Sequence, residues 1–232
     1  MELRGWVRTS LIDYPDHIAT VVFTGGCNFR CPMCHNADLV VHAGERPDLS
    51  QEQMWAFLSR RAGLVDGVVV TGGEPTLQPD LAPFLRRVRS MGLDVKLDTN
   101  GYRPDVLAEL LGEVLVDYVA MDVKAPPEKY PVLAGRADLD LTRVVRSIDL
   151  LRDSGLDYEF RTTVVPGWLA EGDIEEIAHW IVGAERYVLQ QFRPFHTLDP
   201  ALEKLSPYPL DRLREMASRA GRWVGRATVR GG

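Results

Sequence analysis

Apolar positions along the chain follow two alternating rhythms. Short, near-continuous apolar runs, many of them β-branched, predict strands over residues 17–24, 67–71, 93–97, 116–121, 158–165 and 187–192, with 223–229 as a seventh at an edge. Between them apolar residues recur every three or four positions, which predicts helices over 50–61, 79–91, 104–111, 140–154, 173–182 and 210–222. Ser50 suits a helix cap, and Gly92 and Gly155 stand where two helices should stop. Leu81, Phe84, Leu85 and Val88 share one helical face. Strands that are apolar throughout and alternate with helices are parallel strands covered by helices.

The polar residues choose among parallel folds. The conspicuous side chains fall just after strands: Cys27, Cys31 and Cys34, then Glu74, then Asp98 with Asn100, then Asp122 with Lys124, then His196. In a barrel the loops after the strands converge on one mouth, whereas an open sheet would string these groups along an edge. Convergence favours a barrel or partial barrel. There is no internal repeat and no low-complexity linker, so residues 1–232 are expected to form a single domain.

Composition narrows the function. Apolar residues make up 45% and charged residues 26%, and the net charge is −6 with a pI near 5.4. That balance argues against a nucleic-acid surface. No apolar run approaches the ~20 residues of a membrane span, and residues 1–6 lack an apolar export segment. Three reduced thiols then suit the cytoplasm.

All three cysteines lie in Gly25-Gly26-Cys27-Asn28-Phe29-Arg30-Cys31-Pro32-Met33-Cys34-His35-Asn36. Three thiols cannot pair completely as disulfides. Crowded onto one loop, they suit a centre whose ligands must converge. A four-iron cube held by three cysteines keeps one iron open for chemistry. A Cys3His zinc set completed by His35 is the rival, although zinc sites usually join two separated ligand pairs and here all four residues lie within nine. Buried, inert thiols are the plainest alternative, against which stands a loop rich in Gly, Asn, Arg and Pro.

Other strand ends carry weaker signals. In Gly72-Gly73-Glu74-Pro75 the glycines permit close backbone approach and Glu74 can accept hydrogen bonds from an ammonium, although an acid at a helix start is common. Asp98-Thr99-Asn100-Gly101 reads as a turn or as polar contacts to a ribose or cation. Asp122 and Lys124 alternate and can point the same way, as a surface ion pair or as part of a site. His196 alone is more often a structural hydrogen bonder than a ligand or base. Arg161 on an apolar strand needs a carboxylate partner, from the protein or a ligand.

Taken together, the Cys-x3-Cys-x2-Cys spacing, Gly-Gly-Glu-Pro and Asp-Thr-Asn-Gly resemble the radical S-adenosylmethionine superfamily. Asp13-Tyr14-Pro15, Cys34-His35-Asn36, Met121-Asp122-Val123-Lys124, the Arg161 to Gly167 stretch and Phe195-His196-Thr197 extend the resemblance to the activating enzymes of glycyl-radical proteins. Among these, the type serving anaerobic ribonucleoside-triphosphate reductase fits best and the pyruvate formate-lyase type next.

The resemblance implies a partial (β/α)6 TIM-like barrel of parallel strands with outer helices. It implies a [4Fe-4S] cluster on Cys27, Cys31 and Cys34, with S-adenosylmethionine chelating the open iron. Gly72, Gly73 and Glu74 would meet the methionine amino group. Asp98, Thr99, Asn100, Asp122 and Lys124 would surround its carboxylate and a monovalent cation, with Arg161 nearby. Met33, His35 and Val164 would border the adenine, and His196 the ribose. Reductive cleavage would yield a 5′-deoxyadenosyl radical, to act on a glycine of a partner enzyme, with flavodoxin or ferredoxin as electron donor. A small-molecule substrate in the same barrel is the alternative. Met33 replaces a common aromatic, and Asp16 and Asp199 replace glycines nearer the edge where substrate is expected.

Overall fold

The computed structural model describes residues 1–42, 44 and 49–231. Its framework is one eight-stranded sheet in the order of the sequence: β1 (Leu3–Ser10), β2 (Ala19–Thr24), β3 (Gly67–Gly72), β4 (Asp94–Thr99), β5 (Tyr118–Asp122), β6 (Asp157–Val164), β7 (Arg186–Gln191) and β8 (Arg226–Arg230). Strands β2 to β8 pair in parallel, and β1 runs antiparallel to β2. Among the described residues β1 and β8 do not pair, so the sheet curls into a barrel left open on one side. The six expected strands are β2 to β7, and the expected edge strand is β8.

Helices follow the strands: α1 (Ala37–Val41), α2 (Gln51–Arg60), α3 (Leu81–Ser90), α4 (Pro104–Gly112), α5 (Tyr130–Leu133), α6 (Leu141–Arg152), α7 (Glu171–Trp180) and α8 (Leu210–Ala220). The anticipated spacing decides which face each buries. Helix α3 turns Leu81, Phe84, Leu85 and Val88 inward, and α6 turns Val144, Ser147, Ile148 and Leu151. Ser50 caps α2, its side chain accepting from the Gln53 N–H at 3.4 Å, and Asp140 caps α6 through Thr142. Alternate strand residues, among them Val22, Val68, Val70, Val119 and Met121, meet the helices in one large apolar core.

The other strand face lines the barrel. Near the strand starts it is filled by Tyr14, Ala19, Val21, Val69, Tyr118 and Ala120, with Tyr14 stacked 3.9 Å from the His17 ring. Tyr118 of this floor donates to the buried Glu159 carboxylate at 3.1 Å, and the cysteines and Glu74 gather beyond it at the strand-end mouth. The fold also corrects one expectation. Asp16 is exposed and precedes β2, at the strand-start end of the barrel and not at the mouth. Its φ of 61° is a left-handed conformation of the kind that suits glycine. Asp199, by contrast, lies against the cysteine loop: it caps the short helix Pro200–Lys204, and its N–H donates to the Pro32 carbonyl at 2.9 Å.

Candidate functional site

Residues 25–36 leave β2 at the barrel mouth and are fastened from three sides. Gly26 N–H donates to Leu39 O of α1, Arg30 N–H to Ala134 O beyond α5, and Glu74 N–H to Gly26 O, at 2.8, 2.9 and 2.8 Å. Two glycines make this approach possible. A Cβ on Gly73 would lie 1.8 Å from Gly26 O, and one on Gly135 would lie 2.0 Å from Arg30 O. The close backbone approach foreseen at Gly73 is therefore to the cysteine loop itself. Phe29, buried, packs at 5.3 Å against Tyr102 and anchors the loop from beneath.

The three thiols share this mouth, and Cys31 is the most buried of them. The Phe29 N–H points at Cys27 Sγ at 3.4 Å, and the Asn100 amide does so at 3.8 Å. Burial pushes the Cys27 thiol up to about 12 and the Cys31 thiol up to about 11. Thiolates here need a cationic centre, and three soft donors with N–H groups aimed at sulfur suit an iron–sulfur cluster. His35 turns away from the sulfurs: its Nδ1 lies 3.2 Å from Phe195 O, with the ring beside Phe192 and Phe195. Among the described residues no group of three His, Cys, Asp or Glu converges tightly enough for a single metal ion. Three soft thiol donors on one loop fit a cluster, and a Cys3His zinc set would require the His35 ring to leave Phe195 O.

Glu74, after β3, is buried and bound from several directions. Its Oε1 accepts from Thr76 N–H, Thr76 Oγ1 and Thr99 Oγ1 at 3.1, 2.5 and 2.7 Å, and its Oε2 accepts from Asn100 N–H at 2.7 Å. Burial raises its pKa against the pull of these bonds. The carboxylate thus ties the β3 and β4 ends together, and only Oε2 keeps room for a further donor.

Beyond it runs a row of charges. Lys96 Nζ meets Asp98 Oδ1 at 2.5 Å, Arg161 Nη1 meets Asp98 Oδ2 at 3.4 Å, Arg161 Nε meets Asp122 Oδ1 at 2.9 Å, and Lys124 Nζ meets Asp122 Oδ2 at 2.8 Å. Register places Arg161 directly beside Asp122. Burial alone would raise Asp122, but Arg161 and Lys124 hold its carboxyl down at about 2. Three cations and two anions leave the row one surplus positive charge, a match for one ligand carboxylate, with Asp98, Asp122, Lys124 and Arg161 on the cavity wall and Lys96 buried behind them.

One cavity unites most of the anticipated residues. Cys27, Cys31, Met33, Cys34, His35, Gly72, Gly73, Glu74, Asp98, Thr99, Asn100, Asp122, Lys124 and Arg161 all line it. Two do not. Val164 packs into the helix-side core, because strand alternation puts Thr163, not Val164, on the lining face. His196 is exposed at φ 53°, outside the lining. Phe29, Asn36, Val40, Thr71, Thr163 and Gln190 complete the wall. Counting by twos from Arg161 would have found Thr163; nothing in the sequence marks Gln190, which pairs with Thr163 across to β7.

Comparison with known proteins agrees with this geometry. The Radical SAM superfamily model matches residues 21–181. A Methanocaldococcus jannaschii protein, MJ1227, named provisionally as a glycyl-radical enzyme activating enzyme, is 35% identical over 97% of this chain and 94% of its own. The pyruvate formate-lyase-activating enzyme of Clostridium pasteurianum is 29% identical over 89% of this chain and 86% of its own. In fold, a domain of the Bacteroides vulgatus pyruvate-formate lyase-activating enzyme superposes with a TM-score of 0.57, covering 72% of this chain and 99% of that one at 18% identity. Streptococcus suis SuiB bound to S-adenosylmethionine gives 0.64 over 91% of this chain and 50% of its own at 16% identity. The chain belongs to the radical S-adenosylmethionine superfamily and, within it, to the activating enzymes of glycyl-radical proteins.

Proposed function

We propose that this protein installs a glycyl radical on a partner enzyme, and that the partner is an anaerobic ribonucleoside-triphosphate reductase. The observation that carries the reading is the cavity itself: three cysteines, a tethered glutamate and a row with one surplus positive charge meet at the mouth of a barrel with an open side. Cys27, Cys31 and Cys34 would hold the [4Fe-4S] cluster, and the row from Lys96 to Lys124 would receive the carboxylate of S-adenosylmethionine. Glu74 Oε2 is the acceptor for its amino group, and Met33 and His35 border the remaining space. When bound, cluster and nucleotide supply a one-electron cleavage that produces a 5′-deoxyadenosyl radical able to take a hydrogen atom.

The chain's own part is positioning. Glu74, Thr99 and Asn100 fix the β3 and β4 ends against the cysteine loop, and the apolar floor closes the far end of the barrel to water. A loop of another protein would enter at the mouth, beside the β1 and β8 edges that do not pair among the described residues. A flavodoxin or ferredoxin in the cytoplasm would deliver the electron, and the 232 residues act as one domain. Among the described residues no helix is long and apolar enough to cross a membrane.

A second reading has specific support. GTP 3′,8-cyclases, named for a small molecule, also resemble the chain; that of Thermoplasma volcanium is 27% identical over 92% of it. Anaerobic incubation with candidate glycyl-radical enzymes, followed by electron paramagnetic resonance, separates the readings. A glycine-centred doublet on the reductase is expected. A doublet on pyruvate formate-lyase alone would change the partner, and deoxyadenosine formation with no doublet on any candidate would favour a small-molecule substrate.

A further inference from the structure

The monovalent cation expected beside the ligand carboxylate does not fit these residues. Its natural protein ligands would be the carboxylate oxygens of Asp98 and Asp122, and all four already face cationic side chains: Lys96, Arg161 twice, and Lys124. Arg161 is central to this arrangement. Its guanidinium lies between the two aspartates, although Asp98 is on β4 and Arg161 on β6, with β5 between them. It reaches across because the β5 residue in register with Asp98 is Ala120, a small side chain on the barrel face. Neighbouring Glu159, two residues earlier on β6, is hydrogen-bonded to Arg230 at 2.7 and 2.8 Å and to the Tyr118 hydroxyl at 3.1 Å.

We propose that the Arg161 guanidinium stands in the place of a monovalent metal ion, so that ligand binding here is independent of sodium and potassium. A further metal ion would sit against a fixed cation and bring a second surplus charge to a row already matched to one carboxylate. The side chain is also held by the fold: its register with Asp122 is set by the β5–β6 ladder, so the charge is present before any ligand arrives. Built this way, the site needs no ion from solution.

The inference rests on S-adenosylmethionine binding in this cavity, and one experiment separates the two claims. Binding to the reconstituted holoenzyme is measured by equilibrium dialysis in potassium, sodium and choline chloride at equal ionic strength, with Arg161→Ala in parallel. Dissociation constants for the native protein equal within two-fold in all three salts are expected. In R161A, verified as folded by circular dichroism, potassium should tighten binding at least five-fold relative to choline. Native binding that weakens five-fold or more in choline would overturn the inference alone. A folded R161A indifferent to potassium would also overturn it, because the vacated space would then be no cation's place. Failure to bind in every salt would overturn the site assignment and this inference with it.

Discussion

Asp122 carries a different cation on each oxygen, so its removal exposes two charges at once. Asp122→Asn leaves Arg161 and Lys124 without their principal anion, and should cost about 3 kcal/mol, the lower end for breaking a buried pair, because this one keeps some contact with water. The pH dependence follows from its depressed carboxyl. Held at about 2 against an ordinary value of about 3.9, it contributes stability fully present above pH ~4 and lost as pH falls through about 2. Urea unfolding of the metal-free chain between pH 5 and 2 should show this acid limb flattened in the variant; an equally steep limb would refute the assignment. Gly73 is tested differently. Gly73→Ala drives a methyl into Gly26 O and must displace the cysteine loop, so reconstituted iron should fall to less than a third of the native content, while far-ultraviolet circular dichroism is retained. Full iron loading would show that the loop tolerates the shift. Most residues lining the cavity were legible because cysteine spacing and charges at strand ends are strong chemical signals. Val164, named by resemblance, turns its side chain into the helix-side core because alternation gives the lining face to Thr163.

At the scale of elements, the parallel strands were legible because burial on both faces leaves little room for polar residues. Strand β1 was not. It is an edge strand with Arg4 and Arg8, buried fully only at Leu3 and Ser10, and its pairing is broken by two register shifts, so no period of two survives. The five-residue α1 was equally hidden, being too short to show a helical period. Helix ends obeyed the expected chemistry at Gly92 and Gly155, but α4 ends differently. Val114, exposed and β-branched, sits at φ 53° just past the helix, with its N–H donating to Leu111 O. That conformation suits glycine. Val114→Gly should therefore stabilise the protein by about 1 kcal/mol, read as a higher urea midpoint with unchanged slope. A lower midpoint would mean that the valine side chain contributes more packing than its exposure allows.

Over the whole molecule, two cores divide the labour. The helix-side core joins the strands to the outer helices, and the small interior floor fills the barrel near the strand starts. The sequence pointed to convergence of strand ends and to an edge strand near the C-terminus, and the fold has both; that antiparallel β1 forms the other edge became visible only in the strand order. The central claim is that three thiolates on the loop after β2 hold a cluster with one open iron that activates S-adenosylmethionine. Its most direct test is deoxyadenosine formation by anaerobically reconstituted protein under dithionite, native and Cys31→Ala side by side. The native chain, loaded with about four irons, should release deoxyadenosine and methionine, and the variant should release none above the protein-free blank. Deoxyadenosine from Cys31→Ala at the native rate would contradict the account.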